Sequence, residues 1–350
     1  MRRLIACAMC AVMLGGCTAL PAEERAFAVC LGLSCAGDVW EACARLPEYT
    51  TPGKYLTVSA RGGSLAEAMT LLDAAAPMRL HYGQVRLVIL TRQLAETDAF
   101  GEVLGALAQL GEFRSDAYLC VTESPLTDMM DALTPQSGTR LSKYIEVMFA
   151  SRIGLGVTPD ARMGEIRRMG QRQSPLLADI GLTPKQVTGA GGLDASAGSM
   201  DASGVDIQLG GAWLLALDGR VQGRLTAGET QLAQLLMGKL RKGALMLPGG
   251  SFRILDASAD VSLHEKNVRC RVTLHYSDAR GLTADGIRNE VESAALSVAG
   301  KLAAADCDAL GLGRRMMRRC IDWQAWQLLD WRTFYPQLDW QITVSLQGEA

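Results

Sequence analysis

Between residues 54 and 122 short apolar runs alternate with stretches of helical periodicity, and this alternation constrains the fold more than any other feature of the chain. Lys54 to Ala60 (KYLTVSA) carries Tyr, Thr and Val at strand density. In RGGSLAEAMTLLDAA, Ser64 can cap a helix and Glu67, three residues on, completes a capping box. Leu65, Ala68, Met69 and Leu72 then line one face. Gln84 to Thr91 (QVRLVILT) is a short continuous apolar run, the pattern of a buried strand. Ala99 to Leu110 is predicted as a helix ended by Gly111, and Ala117 to Thr122 (AYLCVT) as another strand. Strand, helix, strand, helix, strand predicts a sheet covered by helices. Upstream, Phe27 to Leu33 adds a further short apolar run.

The second half of the 350-residue chain repeats no part of the first. Residues 151 to 205 are less orderly. Within them Gly189 to Gly204 (GAGGLDASAGSMDASG) has little to bury and reads as a linker. Val205 to Leu217 is strand-like, Asp218-Gly219 signals a turn, and a helix is expected from about Thr230. In VRCRVTLHY, Val268, Cys270, Val272 and Leu274 share one face of a half-exposed strand. Thr283 to Ala304 is a long amphipathic helix with Ile287, Val291, Ala294, Val298 and Leu302 at helical spacing. Trp340 to Leu346 alternates as a final strand. The expected fold class is α+β and multi-domain, mixed sheets packed with helices, divided into residues 17–188, a linker at 189–204, and residues 205–350.

Hydrophobic residues make up 49% and charged residues 21%, so the chain can bury a large core. The net charge of −2 gives no reason to expect a nucleic-acid partner. His264-Glu265 lacks the second histidine of a zincin helix, and no nucleophile elbow, phosphate loop or dinucleotide fingerprint occurs. No catalytic, cofactor-binding or metal-binding residue is assigned. Gly311-Leu312-Gly313 reads as a helix C-cap. The RRMMRR stretch, Arg314 to Arg319, reads as a solvated helix face, with anionic lipid headgroups as the alternative partner. Trp323, Trp326 and Trp331 read as packing residues, with a partner surface as the alternative.

The first twenty residues have an export-signal layout. Arg2 and Arg3 precede the uncharged apolar run Leu4 to Leu14. That run is too short to cross a bilayer as a helix, which takes about 20 residues. It ends in LGGC, Leu14 to Cys17, which looks like a bacterial lipobox: residues 1–16 would be cleaved and Cys17 would carry the lipid. Two acyl chains would hold the protein stably, where one would not. Beyond Cys7, Cys10 and Cys17 stand Cys30, Cys35, Cys43, Cys120, Cys270, Cys307 and Cys320. No two of these form a CxxC pair. Buried free thiols are the simpler reading, with a disulfide near the N-terminus as the alternative.

Taken in order, LGGC, the segment Gly62 to Glu96, EFRSDAYLCVTESP (Glu112 to Pro125), LGGAWLLALDGRVQGRLTAGET (Leu209 to Thr230) and the tryptophan-rich tail from Asp306 make the chain resemble a known family. It is similar to the C-subunit lipoproteins of spore germination receptors, the Ger(x)C family. That resemblance implies an α+β protein, lipid-anchored by the N-terminus on the outer face of the spore inner membrane. It implies a non-enzymatic subunit acting with membrane-embedded A and B subunits in the response to small nutrients. Only Cys17 carries over as a functional position, and no catalytic residue or cofactor does. The rival reading is a lipid-anchored solute-binding protein or surface enzyme.

Overall fold

The computed structural model describes residues 24–48, 51, 53–110, 112–135, 139–169, 173–184, 205–247 and 249–348. Cys17 lies outside them, as do Gly111 and the stretch Gly189 to Gly204. Three sheets carry the fold. A short parallel pair joins β1 (Arg25–Phe27) to β5 (Arg79–His81). The largest sheet has eight strands, and its middle is parallel: β2 (Cys30–Ala36), β6 (Leu87–Thr91), β7 (Tyr118–Thr122) and β8 (Leu176–Pro184). Antiparallel β3 (Val39–Pro47) and β4 (Tyr55–Gly62) extend it on one side. Antiparallel β9 (Val205–Leu215) and β10 (Val221–Leu225) extend it on the other.

The predicted α/β alternation is present. Ser64 caps α1 (Leu65–Ala75), accepting from the Glu67 amide at 3.2 Å, and Ala68 and Leu72 are buried beneath it. Glu67 reaches back to the Gly63 amide at 2.8 Å, one residue before the cap. After β6 come α2 (Arg92–Ala95) and α3 (Ala99–Gln109), then β7. The buried faces of β6 and β7 are continuous, as a parallel strand covered on both sides requires. Helices α4 (Leu126–Ala132), α5 (Leu141–Gly154) and α6 (Met163–Met169) fill the stretch before β8.

The third sheet has the order β11-β12-β13-β14, formed by β11 (Gly243–Leu247), β12 (Gly250–His264), β13 (Asn267–Arg280) and β14 (Asp339–Gly348). Val268, Cys270, Val272 and Leu274 face inward from β13, as their alternation predicted. The opposite face presents Ser258, Asp260, Arg269, Arg271, Thr343 and Ser345. Helices α7 (Ala227–Leu236) and α8 (Ala284–Ala304) cover the apolar face. α7 begins at the Thr226 cap, earlier than the expected Thr230, with a complete capping box to Glu229. On α8, Ala295 is fully buried where Ala294 was expected. On the β14 edge, Glu292 of α8 accepts from the Val344 amide at 2.7 Å, which engages a donor otherwise open to strand addition.

The expected division at 189–204 falls between β8 and β9, which are antiparallel neighbours in one sheet. Residues 205–225 therefore complete the large sheet, and the third sheet starts only at β11. The two faces of β9 serve two cores. Ile207, Leu209, Trp213 and Leu215 pack into the core of the large sheet, whereas Ala212 and Leu214 pack into the core of the small one. The register shifts between Ala178 and Ile180 opposite Gly211, which holds φ +101°. A Cβ there would stand 2.7 Å from the Leu225 carbonyl oxygen and 3.1 Å from Asp179 Oδ2, so only glycine fits.

Candidate functional site

In α/β sheets ligands bind at the carboxyl ends of the parallel strands. Here the chain's own side chains occupy that position. Arg92, just after β6, bonds Glu96 at 2.6 Å and Glu123 at 2.7 Å. Arg224 of β10 bonds Glu123 at 3.1 Å and Asp179 at 2.5 Å. The Trp213 ring lies within 5.7 Å of the Arg92 guanidinium and 5.3 Å of that of Arg224, and its indole N–H donates to Asp179 at 3.0 Å. Asp179 is 4% exposed. Burial raises its pKa above the usual carboxylate range, against the opposing pull of Arg224 and Trp213. None of these residues was singled out in the sequence. They are contributed by segments from 92 to 224, so no local spacing could have revealed them.

A cavity of about 520 Å³ opens beside β1 and β5, lined in part by Arg25, Asp73, Arg79, His81 and Glu112. Its acids hold the local backbone. Asp73 accepts from the Leu80 amide at 2.7 Å, and Glu112 from the Tyr82 amide at 3.2 Å. His81 Nδ1 accepts from the Gly83 amide, which leaves Nε2 as the donor to Glu112 at 2.6 Å. The other two histidines lie on the β12–β13 ladder, His264 opposite Asn267 at one end of it and His275 opposite Asp256 further along. Among the described residues no group of three or more His, Cys, Asp or Glu side chains is placed to hold a metal ion.

All seven downstream cysteines are free thiols, and five of them are buried. Burial lifts Cys30 and Cys43 to about 12 and Cys270 to about 11, which disfavours the thiolate and suits them to packing.

The tail from Asp306 corrects one expectation and divides two others. Gly311-Leu312-Gly313 opens a helix and does not close one. Gly311, in the left-handed region, precedes α9 (Leu312–Met317), and the wholly buried Asp308 accepts from the Leu312 and Gly313 amides at 2.8 and 2.6 Å. The glycine-cap rule looks back to the preceding helix, but a buried carboxylate here fixes the start of the next one. Burial lifts Asp308, and Asp306 beside it, to about 6. All four arginines of the stretch are exposed, and two of them, Arg315 and Arg319, also donate to the Val261 and Leu263 carbonyls of β12. Trp326, in α10 (Trp323–Leu328), and Trp331, in α11 (Trp331–Phe334), are buried and stacked at 6.0 Å. Trp323 is 51% exposed.

Residues 23–180 match the family model described as the spore germination protein N-terminal domain. That match takes in the β-α alternation up to β8. Over residues 23–180 the chain is similar to the spore germination proteins of the Ger(x)C family. The fold is similar over most of the chain: a solved structure titled "Crystal Structure of the GerBC protein" superposes with a TM-score of 0.55 at 15% identity, covering 91% of this chain and 97% of that one. No curated protein matches the sequence. Among the described residues no helix is long and apolar enough to cross a membrane.

Proposed function

We propose that this chain is a Ger(x)C-family protein and the lipid-anchored C subunit of a nutrient germinant receptor. It is held by Cys17 on the outer face of the spore inner membrane and acts there, without catalysis of its own, beside membrane-embedded A and B subunits. The observation that carries the reading is the match to the spore germination domain, which begins at residue 23, six positions after the cysteine of LGGC. An anchor at Cys17 has a geometric consequence. Arg25 of β1 stands eight positions after it, a reach of at most about 28 Å, so the β1–β5 end of the molecule would be tethered close to the bilayer. Confinement to the membrane surface raises the effective concentration of the subunit near its partners.

The test is Cys17→Ala in a spore-forming host, read by membrane fractionation, metabolic labelling with a fatty-acid analogue, and germination in nutrients. Loss of label, release from the membrane and failure of nutrient germination are expected, with germination by a receptor-independent trigger intact. A labelled, membrane-bound wild type whose deletion leaves nutrient germination unchanged would sink the receptor assignment and favour a solute-binding or enzymatic role.

A further inference from the structure

The two most exposed apolar side chains among the described residues, Ile321 and Leu328, belong to one short segment, which also carries the half-exposed Trp323. Ile321 is 98% exposed, Leu328 86% and Trp323 51%, all within the α9–α10 segment. An isoleucine at that exposure touches almost nothing of its own protein, so the segment forms a protruding tip. Its underside is fixed. Trp326 stacks on Trp331 beneath it, and Arg315 and Arg319 fasten α9 to the backbone of β12. The apolar residues are therefore presented from a built platform.

Beside them stand Arg314 and Arg318, four residues apart and on one side of α9. Both are exposed, and neither makes an ion pair or hydrogen bond among the described residues. The two nearby acids have local partners: Asp322 accepts from the Ala325 amide at 2.8 Å, and Asp330 from the Thr333 hydroxyl. At the strand ends of the large sheet, by contrast, Arg92 and Arg224 are matched to carboxylates. Here two exposed arginines, without a partner among the described residues, share one segment with exposed Ile321 and Leu328 and half-exposed Trp323.

We infer that this tip docks on an anionic bilayer surface, with Ile321, Trp323 and Leu328 entering the headgroup region and Arg314 and Arg318 meeting lipid phosphates. Each part suits that occupant. Indoles favour the water–lipid interface, protruding aliphatics gain from entering it, and cations near the surface are attracted to anionic lipid. A protein partner is the poorer match, because a stable interface buries about 800 Å² on each side and three protruding side chains are too few to form its core. The inference deepens the proposed membrane placement but uses a different part of the molecule from Cys17.

The experiment uses residues 18–350, which include every described residue and carry neither leader nor lipid, so its result is independent of acylation. Binding is measured by co-sedimentation and tryptophan emission, with vesicles of phosphatidylcholine alone and with about 30% phosphatidylglycerol, at low and high salt. Wild type is expected to prefer the anionic vesicles by about tenfold, with a blue-shifted emission and weaker binding at high salt. Ile321→Ser combined with Leu328→Ser should weaken binding to anionic vesicles by about tenfold. Arg314→Gln combined with Arg318→Gln should remove the preference for anionic lipid. All four positions are exposed, and circular dichroism checks that the variants fold. Absence of wild-type binding to anionic vesicles, or wild-type binding by both double variants, would overturn the inference. Failure of the Cys17→Ala test alone would leave it standing.

Discussion

The two larger sheets handle the same problem in opposite ways. The eight-stranded sheet covers the faces of its parallel centre with apolar packing, and the charges at its strand ends close on one another, with Asp179 almost wholly buried against Arg224 and Trp213. The four-stranded sheet covers one face with α7 and α8 and leaves the other polar. Its neighbouring α9–α10 segment carries unpaired arginines and exposed apolar side chains. A region whose charges are internally satisfied has little to offer a partner. Unsatisfied groups held on a rigid platform are where recognition can occur. Under the proposed docking, the large sheet serves stability and the tip beside the small one serves contact.

Three changes would break or sharpen that contrast. The largest effect is expected from Trp213→Ala, which empties a buried site in the large core and leaves Asp179 without its indole donor. It should destabilise the protein by about 3–5 kcal/mol in urea denaturation. Because β9 serves both cores, the transition should stay single and move as a whole. Two separated transitions, with the second unchanged, would show that the cores are independent.

A smaller effect, about 2 kcal/mol at neutral pH, is expected from Arg224→Met, which leaves Asp179 buried without its main cation. The figure is reduced because Arg224 is half exposed and its pairing is screened by solvent. The sign of its pH dependence follows from the raised pKa of Asp179. Without Arg224 that pKa rises further, so the loss is complete above the new folded value and shrinks as pH falls toward the unfolded value. Urea denaturation at two pH values measures it, and a loss that grew on acidification would contradict the assignment. The smallest effect should come from Thr226→Ala, which removes the hydroxyl that accepts from the Glu229 amide but keeps the residue 226 amide that donates to the Glu229 carboxylate, at about 1 kcal/mol.

Local patterns were legible wherever the cause of structure was local. Ser64 and the apolar spacing after it placed α1, the alternation of Val268 to Leu274 placed β13, and the spacing from Ile287 to Leu302 placed α8. The earlier start of α7 was also readable, since Thr226 and Glu229 stand at capping-box spacing. The partnership of β9 with β8 was not. A Gly/Ser-rich stretch signals a loop, but it does not say whether the strands it joins belong to one sheet or two.

The sequence by itself determined the element types, the inward faces and the family resemblance, because these depend on periodicity, caps and short motifs carried by neighbouring residues. Only the tertiary structure decided that Asp179, Glu123, Arg92, Arg224 and Trp213 close on one another, and that Arg315 and Arg319 bond to β12 while Arg314 and Arg318 do not. Whether a charge is paired, buried or left free depends on which distant segments packing brings within about 4 Å of it, and no one-dimensional spacing carries that information.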